Sequence, residues 1–284
     1  MRKWWFIGAV LAAAVWVVWG NSALQMTRLT VYTKRLPKVF DGFCVVQVSD
    51  LHNTVFGEHN QKLLSRIQAA QPNLIVMTGD LLDSYHTDMA AALEFTEQAV
   101  QIAPCYYVPG NHESRISAYP WFRNQLTEQG IVVLENRALE ISYQGETIRL
   151  VGLADLNFSM QDSAIDSKEM VSRALEPLIE EDTYTILLSH RPELFDTYAA
   201  SQMDLVFSGH AHGGQIRLPL IGAVFAPNQG FFPKYNAGIY RKDRTQMIVS
   251  RGLGNSIFPI RLNNRPELIA ATLYAQSVAE TIDR

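Results

Sequence analysis

The sequence predicts an α/β protein in one catalytic domain, and three observations carry that expectation. Short apolar runs alternate with stretches in which apolar residues recur every three or four positions, the pattern of helices covering a buried sheet. Tight polar turns separate the two kinds of segment. The chain has 284 residues, 48% hydrophobic and 18% charged, enough to bury one sizeable core.

Residues 1–27 differ in kind from the rest. Trp4 to Thr27 is a stretch without a formal charge, strongly apolar from Trp4 to Trp19, with Trp4, Trp5, Trp16 and Trp19 near its two ends. About 20 residues cross a bilayer as a helix, and indoles favour its interfaces. We expect an uncleaved N-terminal transmembrane helix. A signal peptide competes, with Arg2 and Lys3 as its basic start, but Asn21-Ser22-Ala23 makes a poor cleavage site. A buried core helix fits four tryptophans and no polar face badly. Basic residues flank both ends, so charge counting sets no orientation; a first apolar segment so near the start favours the N-terminus inside, giving a single-pass cell-membrane protein with its domain extracytoplasmic.

Residues 28–41 read as a juxtamembrane segment with an edge strand, "LTVYTKRLP", that Pro37 ends. The catalytic domain is expected over 42–284. "CVVQVSD" leads to a helix in "HNQKLLSRIQAA", "NLIVMTGD" to one in "DMAAALEFTEQAVQIA", and "CYYVPGNHE" to one in "YPWFRNQLTEQG". "ALEISYQGETIRLVGLAD" then reads as a hairpin around Gln144-Gly145. A loop over 157–167 and a helix in "SKEMVSRALEPLIE" follow, before the strands "YTILLSH" and "DLVFSGH". Gly, Pro and Asn in the last seventy or so residues suit short strands and loops, closing on "ELIAATLYA". Cys44 and Cys105 have no metal-binding spacing and are expected to be buried free thiols, although a disulfide needs only proximity.

The ends of the apolar runs carry the chemistry. They finish in Asp50-Leu51-His52, Gly79-Asp80, Gly110-Asn111-His112-Glu113, His190 and Gly209-His210-Ala211-His212. Ligands bind outside the carboxyl ends of strands in open α/β sheets. Five of the seven histidines stand at those ends; His59 and His86 lie in loops and read as solvated. Singly, each motif has an ordinary explanation: Asp50 and Asp80 as helix caps, Gly110-Asn111 as a turn, His190 as a hydrogen-bonded core residue. Five such features projecting imidazole, carboxylate and amide towards one edge make coincidence a poor account. Imidazole, carboxylate and amide oxygen without thiolate suit Mn, Fe, Zn or Ni. Seven candidate ligands exceed one ion's needs but fit two with a shared carboxylate, and two ions about 3.5–4 Å apart can clamp both oxygens of a phosphoryl transfer.

These motifs, in this order, resemble the calcineurin-like metallophosphoesterases. The resemblance spans about Val45 to Leu273, and "GHAHGGQ", "FAPNQGFFPKYNAGIY" and "VSRGLGNSIFPIRLNNRPEL" look like the membrane-associated bacterial branch. It implies a four-layer α/β/β/α sandwich. It also implies that Asp50, His52 and His212 bind one metal, that Asn111, His190 and His210 bind the other, and that Asp80 bridges. His112 resembles the family's non-ligand histidine, which protonates the leaving oxygen or stabilises charge there, with Glu113 orienting it. Hydrolysis would proceed by in-line attack of a metal-bridging hydroxide, with manganese the favoured metal.

The substrate is expected to be a phosphorylated small molecule or lipid, as a phosphodiester or monoester. Some members of that branch are similar to UDP-diacylglucosamine pyrophosphohydrolases, which makes a nucleotide-linked lipid the alternative; a non-catalytic membrane-tethered scaffold is a second. Arg115 and Arg191, beside motif residues, are candidate substrate contacts, and Arg251, Arg261 and Arg265 could meet phosphate or headgroups or form a solvated basic face. The net charge of −4 argues against nucleic acid as a partner. We expect a monomer.

Overall fold

The computed structural model describes residues 2–159, 166–255 and 258–276. The expected loop at 157–167 lies partly outside the described residues, as do the last eight residues of the expected domain. A helix, α1 (Arg2–Ser22), leads directly into β1 (Gln25–Tyr32). Then come β2 (Phe43–Val48), α2 (Gln61–Ala69), β3 (Leu74–Thr78), α3 (Met89–Ala99), β4 (Cys105–Val108), α4 (Tyr119–Glu128) and β5 (Val132–Val133). The second half begins with the hairpin β6 (Arg137–Tyr143) and β7 (Glu146–Gly152), followed by α5 (Ser167–Leu175), β8 (Thr185–Leu188), α6 (Phe195–Ala200) and β9 (Leu205–Ser208). Two small ribbons follow, β10 (Arg217–Leu218) with β11 (Gly222–Ala223) and β12 (Phe225–Ala226) with β13 (Gly230–Phe231). The chain closes through β14 (Gly238–Lys242), β15 (Thr245–Val249) and β16 (Glu267–Tyr274).

Two six-stranded sheets organise these elements, in the orders β1-β16-β2-β3-β4-β5 and β14-β15-β9-β8-β7-β6. The helix–strand alternation gives parallel pairing of β2, β3, β4 and β5, as right-handed crossovers require. One apolar cluster packs α2, α3 and α4 on the first sheet through Leu63, Ile67, Phe95 and Phe122 against Val46, Val48 and Met77. A second lies between the sheets, where Val45 and Val76 meet Ile186, Leu188 and Phe207. A third packs α5 and α6, through Leu175, Phe195 and Tyr198, on Leu187, Val206 and Met247. The layering is therefore helices, sheet, sheet, helices. β2 and β3 are buried at every position because both their faces are covered, which is why they read as apolar runs interrupted only by Gln47 and the terminal Thr78.

The Gln144–Gly145 turn has both residues at positive φ, +48° and +89°, the geometry that joins a tight hairpin without splaying its strands. Gln47, buried in β2, donates to Thr78 Oγ1 and to the Ser208 carbonyl, both at 2.9 Å, and so ties the two sheets together beneath their carboxyl ends. Cys44 and Cys105 are buried free thiols.

Three expectations change. Residues 25–27, assigned to the N-terminal segment, belong to the domain: Gln25, Met26 and Thr27 pair in parallel with Glu267, Leu268 and Ile269. Among the described residues no helix is long and apolar enough to cross a membrane, so the structure does not bear out a transmembrane character for α1. The six-residue α6 was not foreseen, being too short to show a helical period.

Candidate metal centre

Every motif residue sits where a strand runs out: Asp50 and His52 after β2, Asp80 after β3, Asn111 after β4, His190 after β8, His210 and His212 after β9. Five of them, Asp50, His52, Asp80, His210 and His212, hold φ between +45° and +65°, a region that costs non-glycine residues energy and concentrates at functional sites. Two glycines let the turns close on one another. A Cβ on Gly110 would lie 2.2 Å from Asp80 Oδ1, and one on Gly209 would lie 1.9 Å from Ser49 Oγ and 2.4 Å from Asp50 Oδ2. Gly209→Ala is accordingly expected to push Asp50 aside: metal content measured by mass spectrometry falls, and overpacking costs about 1–3 kcal/mol of stability.

The side chains converge as two sets joined by one carboxylate. In the first, His52 Nε2 lies 3.2 Å from His212 Nε2, which lies 3.4 Å from Asp50 Oδ1. In the second, His190 Nε2 lies 3.1 Å from His210 Nδ1 and 3.2 Å from Asn111 Oδ1. Asp80 Oδ2 faces both, 3.7 Å from His52 Nε2 and 3.1 Å from His190 Nε2. All seven residues are buried.

The tautomers show what these atoms are for. His190 Nδ1 lies 2.7 Å from the Thr78 carbonyl, which only accepts, so Nδ1 carries the hydrogen and Nε2 the lone pair. His210 Nε2 lies 2.8 Å from Asn228 Oδ1 in the same sense, leaving its Nδ1 as the lone-pair atom. Two lone pairs thus face each other across 3.1 Å, beside a carboxylate and an amide oxygen. Donors bound about 2.0–2.2 Å from one ion stand roughly 3.0–3.5 Å apart, so the residues fit a cation in both sets.

Three of the four rings are held in the neutral form that a ligand set demands, and His190, facing the Asp80 carboxylate, is the exception. Burial drives His52 down to about 4 and His210 to about 3, and burial with the His52 and Arg261 charges holds His212 well below its ordinary range. Metal ligation needs these rings neutral. Burial opposes ionisation of Asp80, yet His190, then His52 and His112, hold its carboxyl well below the usual range. Burial likewise disfavours a charge on His190, but the neighbouring Asp80 carries it up to about 10. Burial pushes Asp50 up to about 6 and Glu113 up to about 7.

Two residues do other work than expected. Glu113 does not orient His112; its carboxylate accepts from the amides of Gly110, Asp80 and Leu82 at 2.7, 2.9 and 3.0 Å, fastening the two ligand loops to each other. The partner at His112 Nδ1 is Ser84, whose amide donates at 3.0 Å and whose hydroxyl lies at 3.1 Å. Arg191 is drawn away from substrate: its guanidinium grips Asp155 at 2.6 and 2.9 Å and Asn157 at 3.0 Å. Breaking this buried pair by Arg191→Met is expected to cost about 3–5 kcal/mol, seen as a lower urea midpoint. Arg115 is exposed, and its charge helps to depress His112 after burial has done most.

The basic residues near the C-terminus are also committed. Arg251 pairs with Glu267 at 2.8 Å, and Arg265 donates to the Ala23 and Leu24 carbonyls under the Trp19 ring. Arg261 is buried; it donates to Asn255, Arg251 and Gly254 and stands 3.3 Å from His212 Nδ1. Arg261, read from the sequence as a phosphate or headgroup contact or part of a solvated face, is instead packed beside His212, and Asn228 reaches His210 from a loop with no spacing to the motifs. Asp83, three residues past Asp80, was missed by the sequence reading: with His52 and His112 it forms a third group of clustered donors.

Comparison with known proteins decides the family. Residues 44–214 match the model of the calcineurin-like phosphoesterases. The chain belongs to this family. It is 30% identical over 257 residues to the metallophosphoesterase YkuE of Bacillus subtilis (strain 168), covering 88% of this chain and 85% of that one. It is 29% identical over 201 residues to the phosphodiesterase YaeI of Escherichia coli (strain K12), covering 70% and 69%. It is also 29% identical over 272 residues to a transmembrane protein with metallophosphoesterase domain of Danio rerio, covering 92% of this chain and 60% of that one. This calcineurin-like phosphoesterase is a phosphoester hydrolase, and it holds candidate metal-binding groups.

Proposed function

We propose that the protein is a two-metal phosphoesterase, acting as a monomer on phosphodiesters or phosphomonoesters. The observation that carries this is Asp80 Oδ2 standing between two buried donor sets. Asp50, His52 and His212 would hold one ion, Asn111, His190 and His210 the other, with Asp80 shared. Two such ions supply Lewis-acid activation of water and of the phosphoryl group when bound. Manganese is the metal we favour.

The chain's own residues supply the rest. The Ser84 amide can only donate, so His112 Nδ1 accepts and the neutral ring keeps its proton on Nε2. His112 therefore would donate an Nε2–H hydrogen bond to the departing oxygen and stabilise the charge that develops there, with the proton itself taken up from water. Glu113 holds the loops bearing Asp80 and Asn111 at a fixed separation. Arg115, exposed beside the site, is the basic side chain able to meet a substrate phosphate. Nucleic acid is not the partner, given the negative net charge.

We also place the protein at the cell membrane, held there by the exposed apolar residues of α1. Exposed Trp4, Trp5, Val10, Leu11, Val15 and Val18 on that helix support this, as does the name of the Danio rerio relative. The decisive experiment is a metal titration of purified protein with bis(p-nitrophenyl) phosphate. Hydrolysis that appears with Mn²⁺ and vanishes on chelation is the expected result. A protein that takes up metal yet cleaves no ester would instead be a membrane-tethered scaffold.

A further inference from the structure

Beside the metal centre lies a cavity of about 350 Å³ whose character is opposite to it. His212 forms part of its wall, and Ile216, Val224, Phe225, Pro227 and Phe258 form most of the remainder. Among the described residues, none that line it is charged, and Gln215 is the one polar side chain besides His212. The volume falls within the roughly 300–1,000 Å³ of small-molecule sites. The small ribbons shape it. The Val224 amide donates to the Ile216 carbonyl at 2.9 Å, the Phe232 amide donates to the Val224 carbonyl at 2.8 Å, and Phe225 packs edge-on against Phe231. Around it Leu220, Ile221, Phe231 and Phe232 stand exposed, an apolar surface that a purely aqueous substrate gives no reason to keep.

We infer that this cavity receives a long aliphatic chain of the substrate, so that the protein acts on amphipathic phosphoesters whose phosphoryl group reaches the metal centre past His212. The inference rests on the phosphoesterase reading above and names its substrate class. A sugar or nucleobase would need hydrogen-bonding partners that this wall does not offer, whereas methylene groups need none. Continuity matters as much as polarity. A wall that includes His212 starts the apolar surface at the ligand itself, so one molecule can occupy both. The neighbouring chain also leads to α1: Asn21 bonds the backbone amide and carbonyl of Arg261 at 2.8 and 3.0 Å, three residues beyond Phe258. The apolar helix, the loop carrying Phe258 and the cavity thus form one connected side of the molecule.

The test uses the full chain in a maltoside detergent, which carries no phosphate, with Mn²⁺ and a series of ethyl, butyl and octyl p-nitrophenyl phosphates. Each buried methylene contributes about 0.8 kcal/mol, and detergent competes for part of it, so kcat/KM is expected to rise roughly 10- to 100-fold from ethyl to octyl. The gain should fall in KM, as for binding shared by ground and transition states. Val224→Asp, which places a charge in the cavity, should flatten the series while ethyl ester turnover stays unchanged. Phe258→Ser, at an exposed position on the wall, should flatten it partly without endangering the fold. A wild-type series that is flat, with the ethyl ester still cleaved, overturns the aliphatic site and leaves the phosphoesterase intact. Failure to cleave any ester, ethyl included, overturns the phosphoesterase reading and this inference with it.

Discussion

Asp80→Ala is expected to lose bound metal and activity together. Its Oδ2 is the atom common to both donor sets, and its Oδ1 accepts the His112 amide at 2.8 Å, so on the proposed two-metal reading one carboxylate would position both sites and His112. Alanine also leaves the His190 ring without the charge that faces it. Losing an outer partner of a ligand costs roughly 10- to 100-fold in metal affinity, and a shared ligand should cost more. We expect elemental analysis to fall from about two metals per chain to fewer than one, with kcat/KM down by at least about 10³-fold. A variant with full metal content and near-normal turnover would remove Asp80 from the centre. Asp80→Asn is a useful companion: its amide oxygen can still accept from His112 but supplies no charge, so it should keep the fold and lose metal.

His112→Ala should separate what Asp80→Ala joins. His112 lies outside the two donor sets that hold His190 and His212, and Ser84 fixes its tautomer with Nε2 protonated. Removing the imidazole should leave metal content unchanged and lower kcat by about 10²–10³-fold, the range for losing one donor to a developing oxyanion. The loss should be greatest for esters with poor leaving groups and smallest for p-nitrophenolate, which departs without a proton. A uniform loss across leaving groups would point to a positioning role instead. Ser84→Ala tests the same idea from behind: it removes the hydroxyl but not the amide, so the tautomer and most of the activity should persist.

The fold and the donor set were legible for the same reason. Strands buried on both faces must be apolar throughout, which made β2, β3, β8 and β9 visible, and the polar residues that end such runs are few enough to count. The Gln144-Gly145 turn announced its hairpin because only certain residues accept its backbone angles. Glu113 was misread because adjacency in sequence suggested that it served His112, whereas the backbone amides of a different loop claim it. Arg191 was misread likewise: Asp155, thirty-six positions earlier, had no visible tie to it. The insertion of β16 between β1 and β2 had no local signal, since strand order is set by which faces remain to be covered.

What the sequence by itself determined is the chemistry: which seven side chains could bind metal, which histidine was left over, and which segments would form the sheets. These follow from residue type and local period, properties that a chain carries before it folds. Only the tertiary structure decided which nitrogens of His190 and His210 face each other across the candidate centre, that Glu113 and Arg191 serve the scaffold, and that an apolar cavity opens beside His212. Those depend on atoms brought together from distant positions. Hydrogen bonds and contacts reach only a few ångströms, so spacing along the chain does not reveal them.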